Sequence, residues 1–285
     1  MTYHVFILTI YLTIVVKFNY FWPSNFEVKL FSLENFDIKL NTDVIGRNFV
    51  YTEEIESTNS FLLNKANKFS IDGTVLLAEK QSKGHGRNNK AWYSTRGYNL
   101  TFSILLTNKK YLGKSFNILN FGASLSVANA IENIYQLKTD LKWPNDVLVN
   151  GKKIAGILME SISHGSKVER LVIGIGINVN QILFQGNYNI PPTSIKLELN
   201  ETVERERLLA EYLNNFEETL NKFETSPEDV LKDWKSKCGL LGEKISITDG
   251  EKTKYGIFDD IDKDGFLLLK SKGKIEKIFF GDLNV

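Results

Sequence analysis

The chain has 285 residues, of which 42% are hydrophobic and 24% charged, and its formal net charge is +1. This length allows one large domain and one small domain, each with its own core. A charge so close to zero excludes attraction of the whole molecule to nucleic acid or membranes, leaving only a local patch. The single cysteine, Cys238, excludes an internal disulfide framework. The three histidines (His4, His85 and His164) are too few and too scattered for a zinc site.

The amino terminus contains an uncharged apolar run, Val5–Val16. As a helix it is too short to cross a bilayer comfortably, and it lacks the flanking features of a signal peptide. It fits a packed strand, an extension from an upstream start codon, or a targeting segment. We therefore predict a cytoplasmic protein, with organellar targeting or membrane association through residues 1–22 as the alternative. Residues 1–45 carry no usable motif and are predicted to form an N-terminal extension.

From residue 46 onwards, hydrophobic patterning predicts strands and helices in alternation. Apolar residues at three- and four-residue spacing predict one helix over Phe116–Tyr135 and another over Leu208–Phe223. Polar capping residues at 56–59 predict a short helix, and Asn150-Gly151 predicts a two-residue hairpin turn. The predicted strands are Arg47–Tyr51, Thr74–Glu79, Tyr98–Leu106, Asp146–Val149, Lys153–Glu160 and Leu171–Val179. This order predicts an α+β domain over residues 46–236, with helices packed on a mostly antiparallel sheet.

After about Gly239 the pattern changes to short strands separated by glycine-containing turns. The predicted strands are Ile245–Ile247, Lys254–Phe258, Gly265–Leu269 and Lys277–Phe280. Closely spaced strands of this kind predict a small all-β barrel, which we assign to residues 237–285. We find no internal repeat and no helix-turn-helix signature.

The first segment with chemical potential is the loop Gly84–Trp92, which lies in a stretch rich in lysine and arginine. Two glycines let a backbone approach an anion closely, and Arg87 can bridge a carboxylate and a phosphate. The loop is not a dinucleotide-binding fingerprint, because Asn89 stands where the third glycine would be and a strand follows. By itself it fits a solvated basic loop better than an anion site.

A second segment, Leu141–Val147, reads Leu-Lys-Trp-Pro-Asn-Asp-Val and is followed by Lys152–Leu158. Its lysines could bind oligophosphate and carboxylate groups, and its Asn-Asp pair could hold Mg²⁺ with bound water. An edge-strand turn with surface lysines explains the same residues. A third segment, Gly174–Asn180, has alternating glycines in a β-branched strand. Either a flat ligand or a packed neighbouring strand would explain that alternation.

Taken together and in this order, these motifs resemble those of biotin protein ligases. The matching segments are Ser57-Thr58-Asn59, Gln81, the Gly84–Trp92 loop, Lys142-Trp143-Pro144-Asn145-Asp146, Lys153–Leu158 and Gly174–Asn178. The resemblance covers roughly residues 45–285 and implies a form without an N-terminal DNA-binding domain. It also implies a catalytic domain like that of class II synthetases, followed by a small C-terminal SH3-like β-barrel.

The resemblance implies the activity and the residue roles. Biotin would be activated with ATP as biotinyl-5′-AMP and transferred to a lysine of a biotin carboxyl carrier domain in acetyl-CoA carboxylase or a related carboxylase. Lys153, Arg87 and Asp146 would be catalytic, with Asp146 also the Mg²⁺ ligand. Biotin would contact Ser57, Thr58, Asn59, Gln81, Gly84, His85, Gly86, Arg87, Lys153, Gly156, Leu158 and Gly174. The nucleotide would contact Trp92, Lys142, Asn145 and Asn178. No DNA binding is expected, and a homodimer is compatible with the family.

The loop departs from the family pattern at two positions. The family commonly has arginine at the place of His85 and glycine at the place of Asn89. Asparagine tolerates a positive φ better than most residues, so we expect the backbone of the loop to be kept. Histidine brings less charge at neutral pH, so we expect an effect on how tightly the adenylate is retained.

Three alternative functions are considered. A lipoate or octanoate ligase or transferase of the same superfamily is the nearest, but we do not find the arginine-rich, glycine-tract and His-Asp signature of those families. A biotin-sensing DNA-binding regulator is disfavoured by the lack of a helix-turn-helix and by the net charge. A catalytically inactive binding module, with the barrel as an interaction domain, is the third.

Overall fold

A computed structural model describes residues 29–67, 69–113, 115–165, 167–250 and 252–284. The apolar run Val5–Val16 and the whole of residues 1–22 lie outside these ranges. The larger sheet has seven strands in the order β1-β2-β3-β7-β6-β5-β4, and every neighbouring pair is antiparallel except β1–β2. Its strands are β1 (Phe49–Ile55), β2 (Thr74–Gln81), β3 (Leu100–Leu106), β4 (Asp140–Lys142), β5 (Asp146–Val149), β6 (Lys152–His164) and β7 (Lys167–Ile177). The predicted α+β class with a mostly antiparallel sheet is confirmed.

Seven α-helices accompany the sheet within the described ranges. They are α1 (Leu33–Asp37), α2 (Thr58–Leu63), α3 (Lys109–Leu112), α4 (Phe116–Tyr135), α5 (Ile195–Leu199), α6 (Arg205–Thr225) and α7 (Pro227–Ser236). Helix α4 is buried on nearly all sides, because it packs against the sheet, α6 and α7. Its Phe121 ring stacks on Trp234 of α7, with the ring centroids 4.3 Å apart. The predicted helix over Phe116–Tyr135 is confirmed at both ends.

The sequence patterns missed several elements and shortened others. The strands β6 and β7 continue past the predicted ends as a hairpin that reaches His164. This extension carries polar side chains on an exposed hairpin, so it lacks the apolar signal of a buried strand. Helix α7 was not predicted, although proline at its first position and acidic residues in its first turn are ordinary helix-start signals. The hairpin at Asn150-Gly151 is confirmed, since both residues have positive φ.

The C-terminal part forms a separate five-stranded antiparallel sheet in the order β11-β10-β9-β8-β12. Its strands are β8 (Lys244–Asp249), β9 (Lys252–Ile261), β10 (Leu267–Ser271), β11 (Lys274–Ile278) and β12 (Asp282–Asn284). Trp143 of the larger domain donates from Nε1 to the carbonyl of Gly265, at 3.3 Å. The predicted small β-domain is therefore confirmed, and its β9–β10 turn lies against the β4–β5 turn.

A buried ion pair ties the amino-terminal described segment to the sheet and to α6. The Arg205 guanidinium donates to both carboxylate oxygens of Glu79 on β2, at 2.7 and 3.1 Å. The backbone N–H of Phe31 donates to the same carboxylate at 2.7 Å. Burial acts to raise the pKa of Glu79, but the hydrogen bonds and charge of Arg205 overcome it, so the pKa of Glu79 lies below its ordinary value. Residues 29–45 are thus packed on the domain, with Phe31 and Phe36 in its main core.

We predict that Arg205→Met lowers the free energy of unfolding by about 3–5 kcal/mol, because it leaves the Glu79 carboxylate buried without its cation. Urea unfolding followed by circular dichroism would measure this change. The matched control is Lys254→Met, which removes the cation of an exposed pair with Glu276 and should cost less than about 1 kcal/mol. Equal urea midpoints for Arg205→Met and the wild type would contradict the assigned role of the buried pair.

Candidate active site

The three central strands of the large sheet have faces of opposite character. On one face, Ile104 of β3, Ile173 of β7 and Ile157 of β6 belong to the main core. Since side chains alternate along a strand, their neighbours project from the other face. The registers place Ser103, Gly174 and Leu158 in one row across that face, and Thr101, Gly176 and Gly156 in the next. These mostly small residues leave an open floor on the sheet.

A cavity of about 520 Å³ lies over this floor. Arg87 from the loop and Lys153 from β6 both face it, although they are distant in the sequence. The cavity wall includes every residue that the sequence singled out as a site residue except Gly84: Ser57, Thr58, Asn59, Gln81, His85, Gly86, Arg87, Trp92, Lys142, Asn145, Asp146, Lys153, Gly156, Leu158, Gly174 and Asn178. A Cβ on Gly84 would lie 2.7 Å from the carbonyl oxygen of Trp92 and 2.8 Å from Nε2 of Gln81. Gly84 therefore lies directly behind the wall, where only glycine fits.

One end of the cavity is formed by a hydrogen-bonded polar cluster at the start of α2. The Ser57 side chain caps this helix by accepting from the N–H of Ser60, as the sequence predicted. Thr58 donates from its backbone and from its hydroxyl to Oε1 of Gln81, at 2.7 and 2.9 Å. Beneath them the buried Ser103 hydroxyl lies 2.6 Å from Oγ1 of Thr58 and 2.6 Å from Oδ1 of Asn59. These contacts fix donors and acceptors in a largely buried corner.

The other end of the cavity collects cations. Lys153 forms an ion pair with Asp146, with Nζ 2.6 Å from Oδ1. Lys142 is 8% exposed, and its burial, only partly opposed by the charge of Asp146, lowers its pKa. Burial likewise lowers the pKa of Arg87 against the opposing charges of Asp282 and Asp146. With Lys90, four cationic side chains face this cavity against two carboxylates, so an anionic ligand would be attracted to it.

Most cations of the basic loop are paired with nearby carboxylates. Lys80 and Lys83 form exposed ion pairs with Glu54 and Glu56, at 2.9 and 2.8 Å. Lys90 pairs with Asp282 of the C-terminal domain, with 2.6 Å between Nζ and Oδ2. The loop is therefore neutralised locally, and its positive charge does not form a continuous basic surface.

The loop backbone adopts the conformation that its asparagines permit. Asn88 and Asn89 have φ values of 54° and 53°, a left-handed conformation that asparagine tolerates better than most residues. Asn89 therefore has a backbone conformation that a glycine at this position would also adopt readily. At the end of the loop, the Trp92 ring lies over Gly176, whose Cβ would come within 2.4 Å of it. The centroid of the Trp92 ring also lies 5.8 Å from Nζ of Lys153. The Nε1 atom of Trp92 is buried and has no hydrogen-bond partner.

Sequence reasoning missed two parts of the wall. One is the segment 184–190, which carries the exposed Tyr188 and contains no motif. The other is β12, which brings Asp282 and Asn284 of the C-terminal domain to the cavity. The backbone carbonyl of Gly281 accepts from Nη2 of Arg87 at 3.3 Å. No local pattern identifies the β12 residues, because they reach the cavity only through the packing of the C-terminal domain on the larger domain.

The residues present fit a magnesium ion that arrives with a nucleotide. Within the described ranges, no cluster of three or more His, Cys, Asp or Glu side chains could hold a metal. Asp146 and Asn145, whose side chains carry oxygen atoms, both line the cavity. Mg²⁺ is commonly held by one or two carboxylates together with substrate phosphates. Asp146, with Asn145 beside it, meets that requirement without a complete protein cage.

Comparison with known proteins identifies the family. The model for the biotin/lipoate A/B protein ligase family matches residues 51–178, and that for the biotin protein ligase C terminal domain matches residues 240–283. The bifunctional ligase/repressor BirA of Bacillus spizizenii is 33% identical over 251 residues, covering 86% of this chain and 76% of that protein. The chain belongs to the biotin protein ligase family. The biotin--[acetyl-CoA-carboxylase] ligase of Paracoccus denitrificans is 30% identical over 239 residues, covering 79% of this chain and 98% of that protein.

Solved structures of biotin protein ligases have the same fold. The ligase of Aquifex aeolicus in complex with biotin and ATP is 31% identical and superposes with a TM-score of 0.73. The match covers 84% of this chain and 98% of that chain. The family resemblance inferred from the motifs is therefore confirmed, together with a fold that includes both the large sheet and the small β-domain. Within the described ranges, no helix is both long and apolar enough to span a membrane.

We predict that Gly174→Ala raises the KM for biotin about tenfold, equivalent to ~1.4 kcal/mol. The new Cβ would lie 2.3 Å from Oδ1 of Asn59, so the amide must leave its place in the wall. Steady-state kinetics with biotin as the varied substrate would measure the change. The control is Gly113→Ala, since nothing lies within 4 Å of a Cβ there. An unchanged KM in Gly174→Ala would show that Asn59 does not need this position.

Proposed function

We propose that this chain activates biotin with ATP and transfers the biotinyl group to a lysine of a biotin carboxyl carrier domain. The supporting observation is one cavity with a buried polar corner at one end and four cationic side chains at the other. A ureido ring needs fixed donors and acceptors in a dry pocket, whereas a carboxylate beside a triphosphate needs positive charge. The relative from Aquifex aeolicus is described in complex with both biotin and ATP.

In the proposed binding mode, the ureido ring of biotin lies against Ser57, Thr58 and Gln81. Gly156, Leu158 and Gly174 form the wall of the same compartment, with Asn59, Gly84, His85 and Gly86 beside it. The biotin carboxylate then points towards Arg87 and Lys153. The nucleotide lies at the end formed by Lys142, Asn145 and Asn178, and Trp92 covers the product adenylate.

The first step joins two anions. A biotin carboxylate oxygen attacks the α-phosphorus of ATP, and the bond from that phosphorus to the bridging oxygen of the β-phosphate breaks. Pyrophosphate leaves, and biotinyl-5′-AMP remains. Lys153 and Arg87 screen the negative charge that builds up at the α-phosphate. Before the attack, Lys153 must leave Asp146 and contact the substrates instead. Since the two side chains are in contact, we infer that Asp146 then lies close to the reacting atoms.

Mg²⁺, when bound with ATP through Asp146, would neutralise phosphate charge and help pyrophosphate to leave. In the second step, the carrier lysine attacks the carbonyl carbon of the mixed anhydride. The carbon–oxygen bond to AMP breaks, and an amide forms. An exposed lysine is almost wholly protonated at neutral pH, so its proton must be accepted first. We assign to Asp146, which lines the cavity beside Lys153, the role of orienting the amine or accepting that proton.

The carrier is proposed from the names of the relatives. Two relatives, from Mycobacterium tuberculosis and Paracoccus denitrificans, are named biotin--[acetyl-CoA-carboxylase] ligase. We therefore propose the carrier domain of acetyl-CoA carboxylase or a related carboxylase as the acceptor. Because residues 29–45 pack on the larger domain with Phe31 and Phe36 in its core, we extend the proposed catalytic domain from 46–236 to 29–236 and retain 237–285 for the small β-domain. We also propose a cytoplasmic location and a homodimer, which sedimentation would test.

We predict that Lys153→Ala and Arg87→Ala each slow adenylate formation by about a hundredfold, because each removes a charge that stabilises the transition state. Pyrophosphate release in a single turnover would measure this step. The matched controls are Lys152→Ala and Lys83→Ala, whose side chains pair with Glu198 and Glu56 and do not face the cavity. Wild-type rates in both site variants would refute the assignment of Lys153 and Arg87.

The function itself is tested by mass spectrometry of a carrier domain incubated with the full chain, ATP and biotin. We expect one biotinyl group on one lysine, and none when ATP is omitted. Lipoate in place of biotin should give no product and should not compete in ATP–pyrophosphate exchange. Transfer of lipoate would identify a lipoate ligase instead, and a folded protein that forms no adenylate would identify a binding module.

A further inference from the structure

Glu160 contacts two residues of the cavity wall, Asn59 and His85, which lie on separate elements that the reaction would need to hold together. It projects from the open face of β6, two positions beyond Leu158. Its Oε2 accepts a hydrogen bond from Nδ2 of Asn59, at 2.8 Å. The same oxygen lies 3.6 Å from Nε2 of His85 in the loop. One carboxylate oxygen therefore links the biotin-side wall to the loop that covers it.

The surroundings of this contact make it specific. Asn59 is 4% exposed, and its Oδ1 is already engaged by the Ser103 hydroxyl, so Nδ2 is the end left to contact Glu160. The other ring nitrogen of His85 lies 3.2 Å from the carbonyl of Lys83. The neighbouring loop cations point elsewhere, since Lys83 pairs with Glu56 and Arg87 donates to Asn145 and Gly281. Among the described residues, Glu160 is thus the acidic side chain that lies against His85.

We propose that Glu160 is a positioning residue that orients Asn59 and, when His85 is protonated, holds the loop closed over the adenylate. This inference rests on the proposed function and deepens it, because it makes adenylate retention in this chain dependent on pH. The biotin protein ligase motif commonly has arginine where this chain has His85, and arginine stays charged at all physiological pH values. In this chain the same contact would be charged only while the imidazole carries a proton.

The direction of the effect follows from the charges. A carboxylate attracts an imidazolium but gains little from a neutral imidazole, and histidines commonly change charge between pH 5 and 8. The side chains of His85 and Glu160 are 25% and 33% exposed, so water screens the pair. For a pair of this kind we expect the release rate to rise about two- to fivefold as the pH rises from 5.5 to 8.

The first experiment measures dissociation of the acyl-sulfamate analogue of biotinyl-adenylate, which cannot hydrolyse, from the full chain at pH 5.5 to 8. We expect release to quicken with pH in the wild type and to be independent of pH in E160Q, whose amide oxygen can still accept from Asn59. H85R should release slowly at every pH, and the double variant H85R/E160Q should lose that slowing. E56Q, which alters an exposed ion pair of the same loop, is the matched control and should keep the wild-type profile.

The proposal is overturned if E160Q keeps the wild-type pH profile, or if H85R slows release equally with and without E160Q. A second readout needs no ligand: hydrogen–deuterium exchange of the loop amides, compared between wild type and E160Q at the same pH. We expect faster loop exchange in E160Q at pH 5.5 and similar exchange at pH 8, and equal exchange at both values would overturn the proposal. Failure of the proposed function would look different, since no variant would bind the analogue or release pyrophosphate with biotin.

Discussion

The site depends on one constraint, which is that the same three strands must build a core on one face and a ligand floor on the other. The aliphatic side chains of β3, β6 and β7 fill the interface with α4 and α6. Their alternate positions form the two rows of the floor, where five of the six residues are glycine, serine or threonine and the sixth is Leu158. Because a one-residue slip in register would exchange the faces, the core itself fixes the position of the floor. The stability of the domain and the shape of the cavity are therefore consequences of the same pairing.

Two of the four cations that face the cavity have a carboxylate partner. Lys153 is held by Asp146, and Lys90 is held by Asp282. Lys142 and Arg87 lie deeper, where burial opposes their charge and lowers the pKa of each. An anion in the cavity would add negative charge beside these two buried groups. Burial of Lys142 and Arg87 therefore favours the binding of an anion at this end of the cavity.

The small C-terminal domain is part of the site as well as part of the fold. Its core residue Leu283 is flanked on β12 by Asp282 and Asn284, and all three line the cavity. Its β9–β10 turn meets Trp143 and the start of α4, where Ser115 and Asn117 both donate to the carbonyl of Asp264 at 3.0 Å. These contacts connect the strand that carries Asp282 to the strands that carry Lys142 and Asp146. The packing of the C-terminal domain on the larger domain therefore sets the distance between Lys90 of the loop and the Asp282 carboxylate.

Features that are set by residues close together in the chain could be predicted from the sequence alone. The helix over Phe116–Tyr135, the Asn150-Gly151 hairpin and the Ser57 cap are local, and their periodicity or turn chemistry was sufficient to predict them. The ordered motifs also identified the family and many of the residues that line the cavity. Contacts between segments that are distant in the chain became visible only in the folded structure. Register put Ser103 under Asn59, domain packing brought Asp282 to Lys90, and the long β6 strand placed Glu160 against His85. These contacts join residues that no local pattern relates, because each is set by the packing of the whole sheet.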